Sequence, residues 1–101
     1  MPKLFEYLGL ILFFYSNEHE PIHCHAVCGE FESKIEFLIE NGEIVEIIIK
    51  NVKGRKPIEG KDLQNLKELL EYKANEVVVK WIDYFVYHKK INFERITKKL
   101  K

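Results

Sequence analysis

The chain has 101 residues, 47% hydrophobic and 32% charged, a composition that suits one globular core. Sixteen basic and sixteen acidic side chains cancel, which argues against a generic polyanion binder. A domain of this size buries roughly two thirds of the surface its unfolded chain exposes, so neither a structural metal nor a disulfide is required for folding.

The opening Met1-Pro2-Lys3-Leu4-Phe5-Glu6-Tyr7 lacks the basic, apolar and small-residue regions of a secretory signal, and a cytoplasmic location is expected. The apolar run Leu8 to Tyr15 is far shorter than the ~20 residues that cross a bilayer as a helix, so no membrane partner is expected. Tyr7 to Tyr15 reads instead as a first strand, apolar at nearly every position and covered on both faces. The polar stretch Ser16 to Pro21 ends it, since proline cannot donate a ladder hydrogen bond.

A second hairpin turns at Gly29-Glu30, with glycine at the first central position of a two-residue turn. It pairs Cys28 with Phe31, Ala26 with Ser33, Cys24 with Ile35 and Ile22 with Phe37 on the core face. The other face pairs Val27 with Glu32, His25 with Lys34 and His23 with Glu36. For the next hairpin, a two-residue Asn41-Gly42 turn would set Phe37 against Glu46. A three-residue loop, Glu40-Asn41-Gly42, instead sets Phe37 against Val45 and Ile35 against Ile47, and is the expected form.

Asn51 to Gly60 is rich in turn formers and base and reads as an exposed loop. Helical spacing follows at Leu63, Leu66, Leu69, Leu70, Ala74, Val77, Val78, Trp81 and Phe85, in one long helix or two in series, with Asp62 as N-cap. Val77-Val78-Val79 weakens that pattern, and Asp83 to Tyr87 is apolar enough for a strand. A short helix is expected from Asn92. The fold class is thus α+β: an antiparallel β-meander of about four strands, then C-terminal helices packed on one face, in a single domain spanning 1–101 with a basic tail over about 89–101.

Three of the four histidines fall within seven positions, in Glu18-His19-Glu20-Pro21-Ile22-His23-Cys24-His25. Two apart on a strand, His23 and His25 project from one face roughly 6–7 Å apart along the chain. That spacing allows both to bind one divalent transition metal, with His19 swinging over as third ligand and Glu18, Glu20, Glu32 and Glu36 nearby. Three nitrogens and an open position describe a catalytic metal site. A metal-free alternative has His23 and His25 as catalytic imidazoles, with Glu36, opposite His23, orienting the ring. A third alternative is structural, with the histidines on a partly wet face bonding the loop.

Cys24 and Cys28 lie four residues apart on the inward face, about 13 Å between Cα atoms, beyond disulfide reach. Trp81, Tyr72, Tyr84 and Tyr87 sit at helical spacing and read as packing, and His88 as a helix C-terminal residue facing the dipole. No phosphate-cradling glycine loop, nucleophile elbow, zinc-finger spacing or metalloprotease helix is present.

Charge is unevenly divided: residues 1–50 hold nine acids and three bases, and residues 51–101 seven acids and thirteen bases. This separation, and the tail cations Lys89, Lys90, Arg95, Lys98, Lys99 and Lys101, suit either a second small protein or self-association, or nucleic acid contacted by the tail.

The run Glu18-His19-Glu20-Pro21-Ile22-His23-Cys24-His25-Ala26, preceded by Pro2 and an apolar strand and followed by a hairpin and the helix bearing Trp81, resembles the domain-of-unknown-function 4160 family of small bacterial proteins. The resemblance covers about residues 2 to 85. It implies a single-domain cytoplasmic protein, often encoded beside another small domain, as one component of a toxin–antitoxin-like pair. It brings no reaction with it. Ile22 and Cys24 stand where other members tend to carry proline and an aromatic residue, and the basic tail runs past the usual end.

Overall fold

A computed structural model describes residues 2–17 and 21–100. It contains β1 (Lys3–Tyr7), β2 (Leu10–Phe13), β3 (His23–Cys28), β4 (Phe31–Glu40), β5 (Glu43–Asn51), α1 (Gly60–Phe85) and β6 (Glu94–Ile96). The strands form one sheet in the order β5-β4-β3-β2-β1-β6. The fold is α+β, with two corrections to the expected form. The sheet has six strands, mixed because β6 runs parallel to β1, and a single helix follows the meander.

The extra strands come from the two ends of the chain. The expected strand from Tyr7 to Tyr15 is broken by a two-residue turn at Leu8 and Gly9, both at positive φ (49° and 85°). That geometry matches the twist of a tight hairpin; Gly9 adopts it without a steric cost, whereas Leu8 carries its Cβ into the left-handed region. β1 and β2 therefore pair antiparallel, Tyr7 with Leu10 and Phe5 with Leu12. At the other end, Glu94–Ile96 forms a strand where a helix from Asn92 was expected. It pairs Phe5 with Glu94 and Tyr7 with Ile96.

The β3–β4 register is as expected, from Cys28–Phe31 to His23–Glu36, with the Phe37 N–H bonded to the Ile22 carbonyl at 3.0 Å. Of the two turn residues only Gly29 takes a positive φ. The β4–β5 hairpin corrects the three-residue loop. Asn41 and Gly42 are both left-handed (52° and 81°), so the turn holds two residues, and Glu40 pairs with Glu43. A bulge then absorbs Val45, after which Phe37 faces Ile47 and Ile35 faces Ile49. An extra residue inside the strand keeps the isoleucines inward, as one in the turn would have done, but shifts every later pair by two.

α1 covers one face of the sheet. Leu66, Leu69 and Val77 are fully buried, with Leu70, Ala74 and Trp81 beside them. They pack in one cluster with Leu4, Phe5, Tyr7, Leu10, Leu12, Phe14, Cys24, Ala26, Ile35 and Phe37. Each fully buried leucine contributes about 1.5–3 kcal/mol, which outweighs the weak helix propensity of the three valines. Helix persists to Phe85 because Tyr84 and Phe85 stack on Phe14, at 6.0 and 5.4 Å between ring centroids. Glu59, rather than Asp62, is the N-cap, and it makes no side-chain capping bond; Asp62 lies in the first turn. Tyr72 and Tyr87, expected to pack, are more than half exposed. Among the described residues no helix is long and apolar enough to cross a membrane.

Two polar staples hold the C-terminal segment against β1. The Tyr7 hydroxyl donates to Glu68 Oε1 and accepts from the Leu100 N–H, both at 3.0 Å. Lys80 Nζ donates to the Asn92 carbonyl at 2.7 Å and the Leu4 carbonyl at 3.3 Å, over the Phe5 ring at 4.1 Å. Burial holds the Lys80 ammonium below its usual pKa.

The turn between β1 and β2 gives a test. Gly9→Ala places a Cβ on a left-handed backbone without meeting a close neighbour. The cost is then conformational, about 1–2 kcal/mol, read as a lower urea midpoint at unchanged slope.

Candidate functional site

Alternation along β3 places Cys24 and Ala26 against α1 and sends His23 and His25 to the opposite face. The two imidazoles lie side by side with ring centroids 5.4 Å apart. They are not on a wet face, however. His23 is 3% exposed and His25 4%. His25 stacks on Phe13 at 5.6 Å and meets the edge of Tyr15 at 4.5 Å, while Phe13 and Tyr15 pack edge-to-face at 5.0 Å. These rings form an aromatic lid on the sheet face that carries no helix.

Each imidazole has a defined tautomer. His23 Nδ1–H donates to the Pro21 carbonyl at 2.6 Å, so the turn that ends the preceding loop also orients the ring. His25 Nδ1–H donates to Glu32 Oε2 at 3.1 Å. A neutral ring held through Nδ1–H in this way carries its lone pair on Nε2, the nitrogen that binds a metal in such an orientation.

Glu32 is the hub of the site. Its carboxylate, 2% exposed, accepts from the Tyr15 hydroxyl at 3.0 Å and pairs with Arg55 at 3.0 Å. Arg55 reaches it because the loop after β5 folds back over the start of β4. The Glu32 N–H donates to the Lys56 carbonyl at 2.9 Å, and the Ile58 N–H donates to Ser33 Oγ at 3.1 Å. Arg55 also donates to the Glu30 carbonyl at 3.2 Å. A buried carboxylate is tolerated only when charge and hydrogen bonds compensate its lost hydration, and these partners supply both.

The expected roles are redistributed accordingly. His23 and His25 are brought together, and His19 lies outside the described residues. Glu36 faces His23 in register, but its carboxylate is held by Lys50 at 3.0 Å and Lys34 at 3.4 Å. The Lys50 hydrogen bond is the main reason its pKa lies below the usual carboxylate value. The carboxylate that orients an imidazole is Glu32, on His25. Sequence reasoning named Glu32 among nearby acids without giving it that role. The available signal was that Glu32, opposite Val27, is the diagonal neighbour of His25 on the same face. The shifted β4–β5 register hid the lysine. With Phe37 facing Ile47, Lys50 pairs with Lys34 and sits diagonal to Glu36.

Among the described residues no group of three or more His, Cys, Asp or Glu side chains is arranged to hold a metal ion. Both cysteines are unpaired with each other. Burial pushes the Cys24 thiol far up, and Cys28 is raised by partial burial and by Asp62; neither is poised as a thiolate.

Removing the cation from the hub exposes its cost. Arg55→Leu leaves Glu32 buried beside fewer compensating partners and is expected to destabilise the fold by about 2–3 kcal/mol. Adding Glu32→Gln to that variant should recover part of the loss in urea unfolding at neutral pH; a double variant no more stable than the single would count against a net charge penalty.

No curated protein and no solved structure matches the chain. A family model described as "Domain of unknown function (DUF4160)" matches residues 9–82, a span that holds β2, the histidine strand, the Glu32 hub and most of α1. Because the match covers well over half of its length, this chain belongs to the DUF4160 family.

Proposed function

We propose that this protein is a docking module for a second small protein, the role that a toxin–antitoxin-like pair would require of one component. One observation carries the reading. α1 occupies one face of the sheet, and no described element covers the other at its β5 end. There Leu38 is 45% and Val45 54% exposed, with half-buried Ile48 next to them. β5 is also the outer strand of the sheet, nine residues long and with one edge of its backbone unpaired. Such an edge is a template for strand addition.

The Val45 bulge and the charges Glu40, Glu43 and Glu46, all exposed, discourage pairing of two copies edge to edge, since acids would gather at the junction. The occupant that fits is an extended segment of a partner with apolar residues and lysine or arginine between them. The chain and the small protein encoded beside it should form a complex in size-exclusion chromatography with light scattering. Leu38→Glu and Val45→Lys should each weaken it roughly 10-fold or more. A strict monomer indifferent to that neighbour rejects the reading.

A second reading is a small His-dependent hydrolase or ribonuclease with a divalent transition metal. It is favoured by the two adjacent rings, each oriented by a bond through Nδ1. In it His23 and His25 are the catalytic imidazoles, Glu36 lies on the same face, and His19 completes the metal set. The aromatic lid weighs against it, because a substrate must displace Tyr15 to reach His25. Metal analysis of untagged protein decides: stoichiometric metal, lost in His23→Ala and His25→Ala, supports this reading. Protein with neither metal nor RNA cleavage has a structural histidine cluster.

A further inference from the structure

The opposite end of the sheet has a different chemistry. Where α1 ends, the chain turns through His88 at a left-handed φ of 55°, fixed by the Lys89 N–H bonding back to the Asp83 carbonyl at 2.8 Å. This turn lays Lys89 and Lys90 across the mouth of two adjoining depressions. One, about 490 Å³, is lined by Ser16, Tyr84, Phe85, His88, Lys89 and Lys90. The other, about 440 Å³, is lined by Pro2, Lys3, Tyr84, Lys90, Ile91 and Phe93. They share Tyr84 and Lys90 and so lie side by side. Both volumes fall in the ~300–1,000 Å³ range of ligand sites.

The two linings hold Lys3, Lys89, Lys90 and His88 and no acid among the described residues; the adjoining depression along the helix, which shares Lys90 and Ile91, adds Lys80 together with Glu76 and Asp83. Two of the cations farther down the chain are engaged elsewhere: Lys99 pairs with Glu68 at 2.7 Å and Arg95 lies 3.5 Å from Glu6. Aromatic surface accompanies the charge. Phe93 is 42% and Tyr87 63% exposed, and Lys89 Nζ stands 5.4 Å from the Tyr87 ring centroid.

We infer that this surface binds single-stranded nucleic acid, with Lys3, Lys89 and Lys90 on phosphates, and with Tyr84 and Phe93 of the depressions and the exposed Tyr87 beside Lys89 presenting faces and edges to the bases. Alternating cations and aromatic rings along a channel are what an unpaired strand needs, since phosphates supply the charge and every base has a stacking face. A duplex keeps its base faces stacked inside, out of reach of these rings, so the exposed rings favour an unpaired strand. The sequence-based expectation of a basic tail that touches nucleic acid is thereby moved to residues 84–93 together with Lys3. This inference is independent of protein docking at β5, and Leu38→Glu should leave it intact.

The test is fluorescence anisotropy of a labelled oligouridylate, ~12 nucleotides long, titrated with the full chain. Three phosphate contacts predict an association constant that falls about 20-fold as salt rises from about 50 to about 200 mM. Lys89→Glu with Lys90→Glu, and separately Lys3→Glu on a different element, should each reduce binding and flatten that dependence. Phe93→Ala or Tyr87→Ala should lower affinity about 5-fold or more at unchanged salt dependence, and Tyr87→Phe should retain it. Circular dichroism checks that each variant is folded. No binding at low salt, salt-independent binding, or equal binding of polyphosphate or anionic vesicles with the aromatic variants unaffected overturns the inference.

Discussion

A six-stranded sheet has two faces, and the described chain supplies one helix to cover them. That imbalance organises the rest of the molecule. The face under α1 becomes an ordinary apolar core, built from Phe5, Leu12, Cys24 and Ile35 on the strands and Leu66, Leu69 and Val77 on the helix. The other face must find its own way to exclude or accept water. It does so differently along its width: an aromatic and ionic lid over β2–β4, and exposed aliphatic residues toward β5.

The lid explains why histidines sit where a hydrophobic residue would pack more simply. An imidazole between Phe13 and Tyr15 fills space as a ring, while its Nδ1–H satisfies a carboxylate that would otherwise be buried at high cost. Glu32 in turn anchors the loop that brings Arg55 over the sheet. The Lys56 carbonyl and Ser33 hydroxyl fix that loop by bonds to neighbouring residues of β4 and to Ile58. One buried charge thus ties three segments that are distant in sequence: the end of β2, the β3–β4 hairpin and the loop before α1. The same enclosure that stabilises the arrangement separates the imidazoles from solvent.

The uneven division of charge acquires a spatial meaning. The β5 edge carries Glu40, Glu43 and Glu46 beside exposed aliphatic side chains, and the β1–β6 end carries Lys3, Lys89 and Lys90 beside exposed rings. The two ends of one sheet thus differ in charge and in apolar character.

Local rules determined much of this from the sequence. Gly29 fixed the β3–β4 register, and the two-residue repeat of a strand then dictated that His23 and His25 share a face opposite Cys24. Leucine spacing placed the helix. Tertiary structure decided what depends on residues far apart in the chain. Leu8-Gly9 makes a turn within an apolar run because the paired strands β1 and β2 bury more than a single long strand would. Val45 bulges because a two-residue turn continued without an extra residue would send Ile47 and Ile49 outward, and it is the bulged register that delivers Lys50 to Glu36. Glu94–Ile96 is a strand because α1, about 39 Å long, returns the chain to the exposed edge of β1, whose unpaired backbone needs a partner more than three residues need a helical turn. Spacing along a chain specifies which side chains share a face; which carboxylate meets an imidazole, and whether water reaches them, is set by the segments that fold over that face.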